Sequence, residues 1–265
     1  MRPRPPASRQ TCGTILLFSA ASKRPAAHAA LQALAQKASA HAGLPVEPVT
    51  PDTLDTAIER HLATGQREFR IVPLFFAPGI ALTRHLPAQL ETLRGKHGPF
   101  TVHTAPPLAD PAADGEARIA QMLADSTQAI LPGLRTPCVI LVDHGSPDPL
   151  VATVRDALAE RLRGALGGHV QSVRVAAMQR RPGREYDFSG PPLADILADP
   201  ELADTDIALA LQFLLPGRHA GPEGDIAAIC AEAHHRYPRR TVCVSALLAE
   251  HPALAALVAD RAAGG

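Results

Sequence analysis

Apolar positions along the chain fall into two alternating patterns. Residues 138–143, CVILVD, and 206–215, DIALALQFLL, are nearly unbroken apolar runs. Such runs suit strands covered on both faces. Between them lie stretches with apolar positions three or four apart, bounded by Pro, Asp or Gly, as amphipathic helices require. Read this way, strands are expected at 14–19, 45–49 (a short edge strand), 69–76, 100–105, 138–143, 170–178, 206–215 and 240–247. Helices are expected at 25–43, 51–65, 88–95 after Pro87, 116–130, 150–164, 191–199, 224–236 and 251–262. Strict alternation of strand and helix predicts an α/β fold with open, doubly wound parallel sheets.

The pattern restarts after LPGLRTP at 131–137. TILLFSAASKRP (14–25) aligns without gaps on CVILVDHGSPDP (138–149), placing Ala20 on His144 and Ser22 on Ser146. FFAPGIA (75–81) aligns on FLLPGRH (213–219), placing Ala81 on His219, and TVHTAPPLADP resembles TVCVSALLAEHP with one gap. Ordered matches of this kind predict an internal duplication. The expected division is a loose tail at 1–13, one half at 14–132 and a second half at 133–265, the two facing one another across a cleft.

Composition narrows the function classes. Lys+Arg and Asp+Glu both number 26, and aromatic residues make up 3% with no Trp. Neither a basic bias for nucleic acid nor stacking platforms for single strands are present. The four cysteines form no CxxC pair, which argues against a thiolate zinc site. Cys138 and Cys243 read as small core residues. No apolar run is long enough to span a bilayer, and the first residues lack the apolar stretch of a secretory signal. A cytoplasmic protein with no membrane or nucleic-acid partner is the expectation.

The candidate chemistry lies in the second half. In open α/β sheets ligands bind beyond the carboxyl ends of the strands. His144 follows one apolar run immediately and His219 follows another by a few residues, so two parallel strands would bring both imidazoles to one rim. Both positions are Ala in the first half. Neutral imidazole ligates borderline divalent metals and can accept a proton near neutral pH. Gly145 and Gly217 allow close approach of the backbone to a ligand.

VILVDHGSPDP, followed by FLLPGRHAGPEGDI and the closing LLAEHP, resembles the class II chelatases of the CbiX and SirB type. The resemblance covers the second half well and the first half weakly. It implies a chelatase-like fold and ATP-independent insertion of divalent cobalt or iron into sirohydrochlorin, with His144 and His219 holding the metal and acting as the catalytic pair. No GxxxxGK[ST] loop is present, in keeping with chemistry that uses no nucleotide. Gln179 stands where related chelatases often carry an acidic residue, so any metal-facing carboxylate must come from elsewhere: Glu185, Asp187, Glu223 and Asp225 are near in sequence. Asp225 also reads as an acidic helix start.

Further substrate-side expectations attach to the same region. Arg180, Arg181 and Arg184, in a stretch without a counterpart in the first half, suit the carboxylates of sirohydrochlorin; a solvated loop is the alternative. Arg218 suits a carboxylate or water. Ser146 either bonds the ligating loop or caps the following turn. Gly217 leaves room for a flat macrocycle. A non-catalytic metal or tetrapyrrole carrier on the same fold is the rival reading, supported by Gln179 and by the missing first-half histidines.

Overall fold

The computed structural model describes residues 14–20, 23–221 and 223–264. The tail expected at 1–13, Cys12 within it, and Ser22 lie outside the described residues.

The first half is built from β1 (Ile15–Phe18), α1 (Pro25–Ala42), β2 (Val46–Val49), α2 (Leu54–Ala63), β3 (Glu68–Pro73), α3 (Leu86–His97), β4 (Thr101–Thr104) and α4 (Gly115–Gln128). The second repeats the series as β5 (Cys138–Asp143), α5 (Pro149–Leu166), β6 (Ser172–Ala177), α6 (Leu193–Ala198), β7 (Ile207–Leu211), α7 (Asp225–Arg236), β8 (Val242–Val244) and α8 (Pro252–Ala263). Both sheets are parallel, in the orders β2-β1-β3-β4 and β6-β5-β7-β8.

The repeat extends to individual hydrogen bonds. Leu74 N–H donates to the Phe18 carbonyl at 2.8 Å, and Gln212 N–H to Val142 at 2.9 Å. Leu108 donates to Phe75 as Leu248 does to Phe213. Asp110 accepts from the Ala112 N–H, and His251 from Ala253, at the starts of equivalent turns. These pairs fall on the aligned positions of the two halves.

Alternation along β1 and β5 sorts side chains into layers. Ile15 and Leu17 of β1, and Val139 and Leu141 of β5, face a central core shared with α1, α4, α5 and α8. Leu16 and Phe18 pack outward on α2 and α3. Ile140 and Val142 pack outward on α6 and α7. The closing helices cross over: α8 lies against α1 and β3 of the first half, and α4 against α5 and β7 of the second. Each half therefore completes the other's core.

Local sequence explains the boundaries that matter for the site. Pro25 and Pro149 open helices of equal length, 18 residues each. Gly43 ends α1 with φ +65°, a conformation costly for any residue with a Cβ. Four expectations need correction. The strand expected at 206–215 ends at Leu211: the Gln212 N–H still donates to Val142, but β5 stops at Asp143, so residues 213–215 have no β5 residue opposite them. Phe213 and Leu214 instead run over the rim, where their carbonyls accept from Leu248 and Ala249 at 3.0 Å each. The strand expected at 69–76 ends at Pro73 in the same way. The helix expected after Pro87 begins earlier, through a π-helical turn at Ala81–His85. Of the two cysteines read as core residues, Cys138 is buried, but Cys243, on the short edge strand β8, is only half-buried.

Candidate active site

The carboxyl ends of the two sheets enclose a cleft of about 390 Å³, lined by Ser19, Ala20, Leu74 and Phe75 from the first half and by His144, Gln179 and residues 213–220 from the second. A larger, mostly apolar cavity of about 650 Å³ adjoins it, sharing Pro216 and Ala220 and bounded by Ala26, Ala30 and Ala33 of α1.

His144 and His219 meet in this cleft, their ring centroids 4.9 Å apart and their planes tilted by 50°. With metal–nitrogen bonds of about 2 Å, rings at this separation can share one ion. His144 is open to the cleft, while His219 is 5% exposed and so is a buried residue rather than the rim residue its position suggested. The His219 Nδ1 lies 2.7 Å from Asp225 Oδ2. An ionised carboxylate only accepts, so Nδ1 carries the proton and Nε2 presents its lone pair. That Nε2 is buried and has no hydrogen-bond partner. A buried imidazole nitrogen without a partner is costly unless something binds it, and a divalent ion shared with His144 fits the position.

The electrostatics agree. Loss of hydration against the cleft walls, then the neighbouring His219, then the Arg218 guanidinium hold the His144 pKa below the ordinary imidazole value. The neutral, ligating form therefore persists to lower pH than in a free imidazole. Asp143, buried directly before it, is pushed up to about 6: burial outweighs the opposing Arg155 charge and the Gly145 N–H.

The backbone around each histidine is tightly specified. Gly145 adopts φ +83°, and a Cβ there would stand 1.8 Å from the Gln179 carbonyl oxygen. Its N–H donates to Asp143 Oδ1 at 3.0 Å, and the His144 carbonyl accepts from Gln179 N–H at 3.0 Å. In the other loop Gly217 N–H donates to Ala220 at 2.8 Å, closing a short turn around His219. Gly224 caps α7, and a Cβ there would reach 2.4 Å from the His219 carbonyl oxygen. Arg24, from the first half, donates across the cleft to the Gly217 carbonyl at 3.4 Å.

The other residues singled out from the sequence divide. Gln179, Gly217 and Arg218 line the cleft beside the histidines. Ser146 shapes the turn: its Oγ accepts from Asp148 N–H at 3.1 Å and its carbonyl from the Ser189 hydroxyl at 2.9 Å. Within the 179–192 loop Arg180 pairs with Asp187, and Arg181 lies over the Tyr186 ring at 5.7 Å. Arg184 opens a 3₁₀ turn at Arg184–Ser189 and is exposed. Of the candidate carboxylates, Asp225 stands behind His219, 3.4 Å from Arg218 Nε, at the first position of α7. Among the described residues no third His, Cys, Asp or Glu joins a metal-ligating group with the histidines. Sequence reasoning named Asp225 both as a candidate metal-facing carboxylate and as a helix-start acid, and missed its bond to His219, which a six-residue separation across an irregular turn does not signal.

Two of three comparisons with known proteins find similar ones. The CbiX family model matches residues 14–125 and again 138–264. A search of curated proteins finds no match. Among solved structures, SirB from Bacillus subtilis with Fe3+ is similar with a TM-score of 0.74 at 17% identity, over 94% of each chain. The sirohydrochlorin chelatase SirB from Bacillus subtilis subspecies spizizenii, in complex with cobalt, gives 0.70 at 16% identity, over 94% of this chain and 93% of the other. CbiX, described as the terminal enzyme for siroheme biosynthesis in denitrifying bacteria, gives 0.64 at 17% identity, over 96% and 99%. At these identities the likeness is one of fold.

Proposed function

The chain belongs to the CbiX family, and from that premise we propose that it is a sirohydrochlorin chelatase, inserting divalent cobalt or iron into the tetrapyrrole without a nucleotide. The observation that carries this reading is the convergence of His144 with a His219 whose buried Nε2 has no partner. Two solved relatives of the same fold hold iron and cobalt.

In this reading the metal is a substrate. Two neutral imidazoles hold it, and Asp225 fixes the tautomer of one of them. A site of two nitrogen ligands leaves coordination positions open for the ring nitrogens, as transfer requires. Insertion releases two pyrrole N–H protons, and an imidazole that lets go of the metal can take one up. The depressed pKa of His144 suits both tasks, since the ring ligates as the free base and returns the proton readily to solvent.

The cleft walls suit a flat polycarboxylate. Arg218 is the charged residue lining the cleft beside the histidines. We assign it, with Gln179 and Gly217, to the substrate side. The arginines of the 179–192 loop belong to the outer rim, where Arg180 and Arg181 already have partners within the loop. Ala20, where the second half has His144, gives one metal site per chain.

The test is spectroscopic chelation with cobalt, iron and nickel. Multiple turnovers support the enzyme, whereas stoichiometric binding without turnover would favour a carrier.

A further inference from the structure

Three differences between the two halves occur together. Where the first half has Ser19, Ala20 and Leu31, the second has Asp143, His144 and Arg155. The equivalence is firm, since α1 and α5 have the same length and the same starting proline. Their buried stripes also coincide: Leu31, Leu34, Ala35 and Ala38 fall on Arg155, Leu158, Ala159 and Leu162. All four residues outside the histidine pair are buried: Ser19 is 3%, Leu31 4%, Asp143 6% and Arg155 1% exposed.

A buried guanidinium is an expensive substitute for a leucine that packs in the same place. What Arg155 does with its donors is informative. Nη1 donates to the Ser189 carbonyl at 2.5 Å and Nη2 to the Phe188 carbonyl at 3.0 Å. Nε and Nη2 reach Asp156 Oδ1, and Nη1 lies 3.8 Å from Asp143 Oδ1. The same Asp143 oxygen accepts the Gly145 N–H, which sets the turn directly after His144. The Ser189 hydroxyl donates to the Ser146 carbonyl on the far side of that turn. The guanidinium is thus a fork with one tine on the 180–190 loop and another towards the carboxylate that holds the His144 turn.

We infer that Asp143 and Arg155 are a positioning pair for His144, fastening the 180–190 loop to the turn that aims the imidazole, so that the pair serves the metal site rather than the fold. The inference rests on the reading of His144 as a metal ligand. The first half supplies the control: the same strand–helix packing forms there with Ser and Leu, in the half without the histidine. Neither Asp143 nor Arg155 lines the cleft, so both act through His144.

The test transplants the first-half residues. The double variant Asp143→Ser/Arg155→Leu should stay folded, with circular dichroism unchanged and a thermal midpoint no lower than a few degrees below wild type. Its affinity for cobalt, titrated without tetrapyrrole, should fall about tenfold or more, the range for lost supports of metal ligands. In a His144→Ala background the same two changes should have no further effect on residual cobalt binding, because the group they position is gone. If the double variant does not fold, Arg155→Lys keeps the charge but loses the fork, and should weaken cobalt binding at unchanged secondary structure. Wild-type cobalt affinity in the folded variant, or an equal loss in the His144→Ala background, would overturn the inference while leaving the metal site intact. A wild-type chain that binds no cobalt would overturn the metal-site reading, and this inference with it.

Discussion

Replacing Asp225 by Asn probes the geometry at its most specific point. The carboxylate lies 2.7 Å from His219 Nδ1 and opens α7. It therefore has two roles of different size. As an acidic residue at a helix start it contributes about 0.3–1 kcal/mol through the dipole, which its loss would show as a small drop in thermal midpoint. As the acceptor for Nδ1–H it keeps the Nε2 lone pair available. Supports of this kind change metal affinity by about 10–100-fold, and the exposure of this carboxylate, whose side chain is 45% accessible, puts the expected loss near the lower end. A tenfold loss corresponds to about 1.4 kcal/mol. The amide can also turn its NH2 towards Nδ1, forcing the proton onto Nε2 and blocking the site. Cobalt titration by visible absorption, beside thermal melts, separates the roles. Asp225→Asn and Asp225→Ala should both lose about tenfold in affinity with melts within a few degrees of wild type. Unchanged cobalt binding in both variants would reduce Asp225 to a helix-start charge and remove the tautomer argument.

Because the His144 pKa is depressed, cobalt affinity should hold steady down to about pH 6.5, the ordinary imidazole value, and fall only below it. Over that same window protonation of His144 takes stability from the metal-free fold as pH drops, since the unfolded chain binds that proton first, while Asp143, raised to about 6, acts in the opposite direction because the folded chain binds its proton first; a fall in cobalt affinity beginning well above pH 7 would contradict the assignment. Arg218→Ala should raise KM for the tetrapyrrole several-fold with little change in kcat, and should shift the acid limb of cobalt binding to higher pH because a charge that depresses the His144 pKa is gone. An unchanged KM and acid limb would place Arg218 outside the site. Gly145→Ala should abolish insertion, because a Cβ at φ +83° would meet the Gln179 carbonyl at 1.8 Å; normal activity would show that this turn does not aim His144.

Much of this was readable in the chain, for definite reasons. A strand buried on both faces leaves an unbroken apolar run, so CVILVD marked β5 to the residue, and His144 directly after it had to stand at the rim. The duplication was readable because TILLFSAASKRP and FFAPGIA of the first half align on CVILVDHGSPDP and FLLPGRH of the second. The end of β7 was not, since Phe213–Leu215 stay apolar while lining a cleft rather than a sheet. The crossing of α4 and α8 depends on packing between halves, which no local pattern encodes. His219 read as a rim residue, yet it is buried, within the turn closed by the bond from the Gly217 N–H to the Ala220 carbonyl. Arg155 was hidden by its context, a polar residue on an otherwise amphipathic helix. Extending the gapless alignment a few residues further, onto Leu31, would have exposed it.

The most direct test of the central claim is anaerobic insertion of cobalt into sirohydrochlorin, followed by the change in the tetrapyrrole absorption spectrum, with wild type, His144→Ala and His219→Ala run side by side against metal and tetrapyrrole alone. The account predicts multiple turnovers by wild type without nucleotide, and rates at the uncatalysed background in both variants, each still folded. No acceleration by wild type, or acceleration that survives the loss of either histidine, would contradict it.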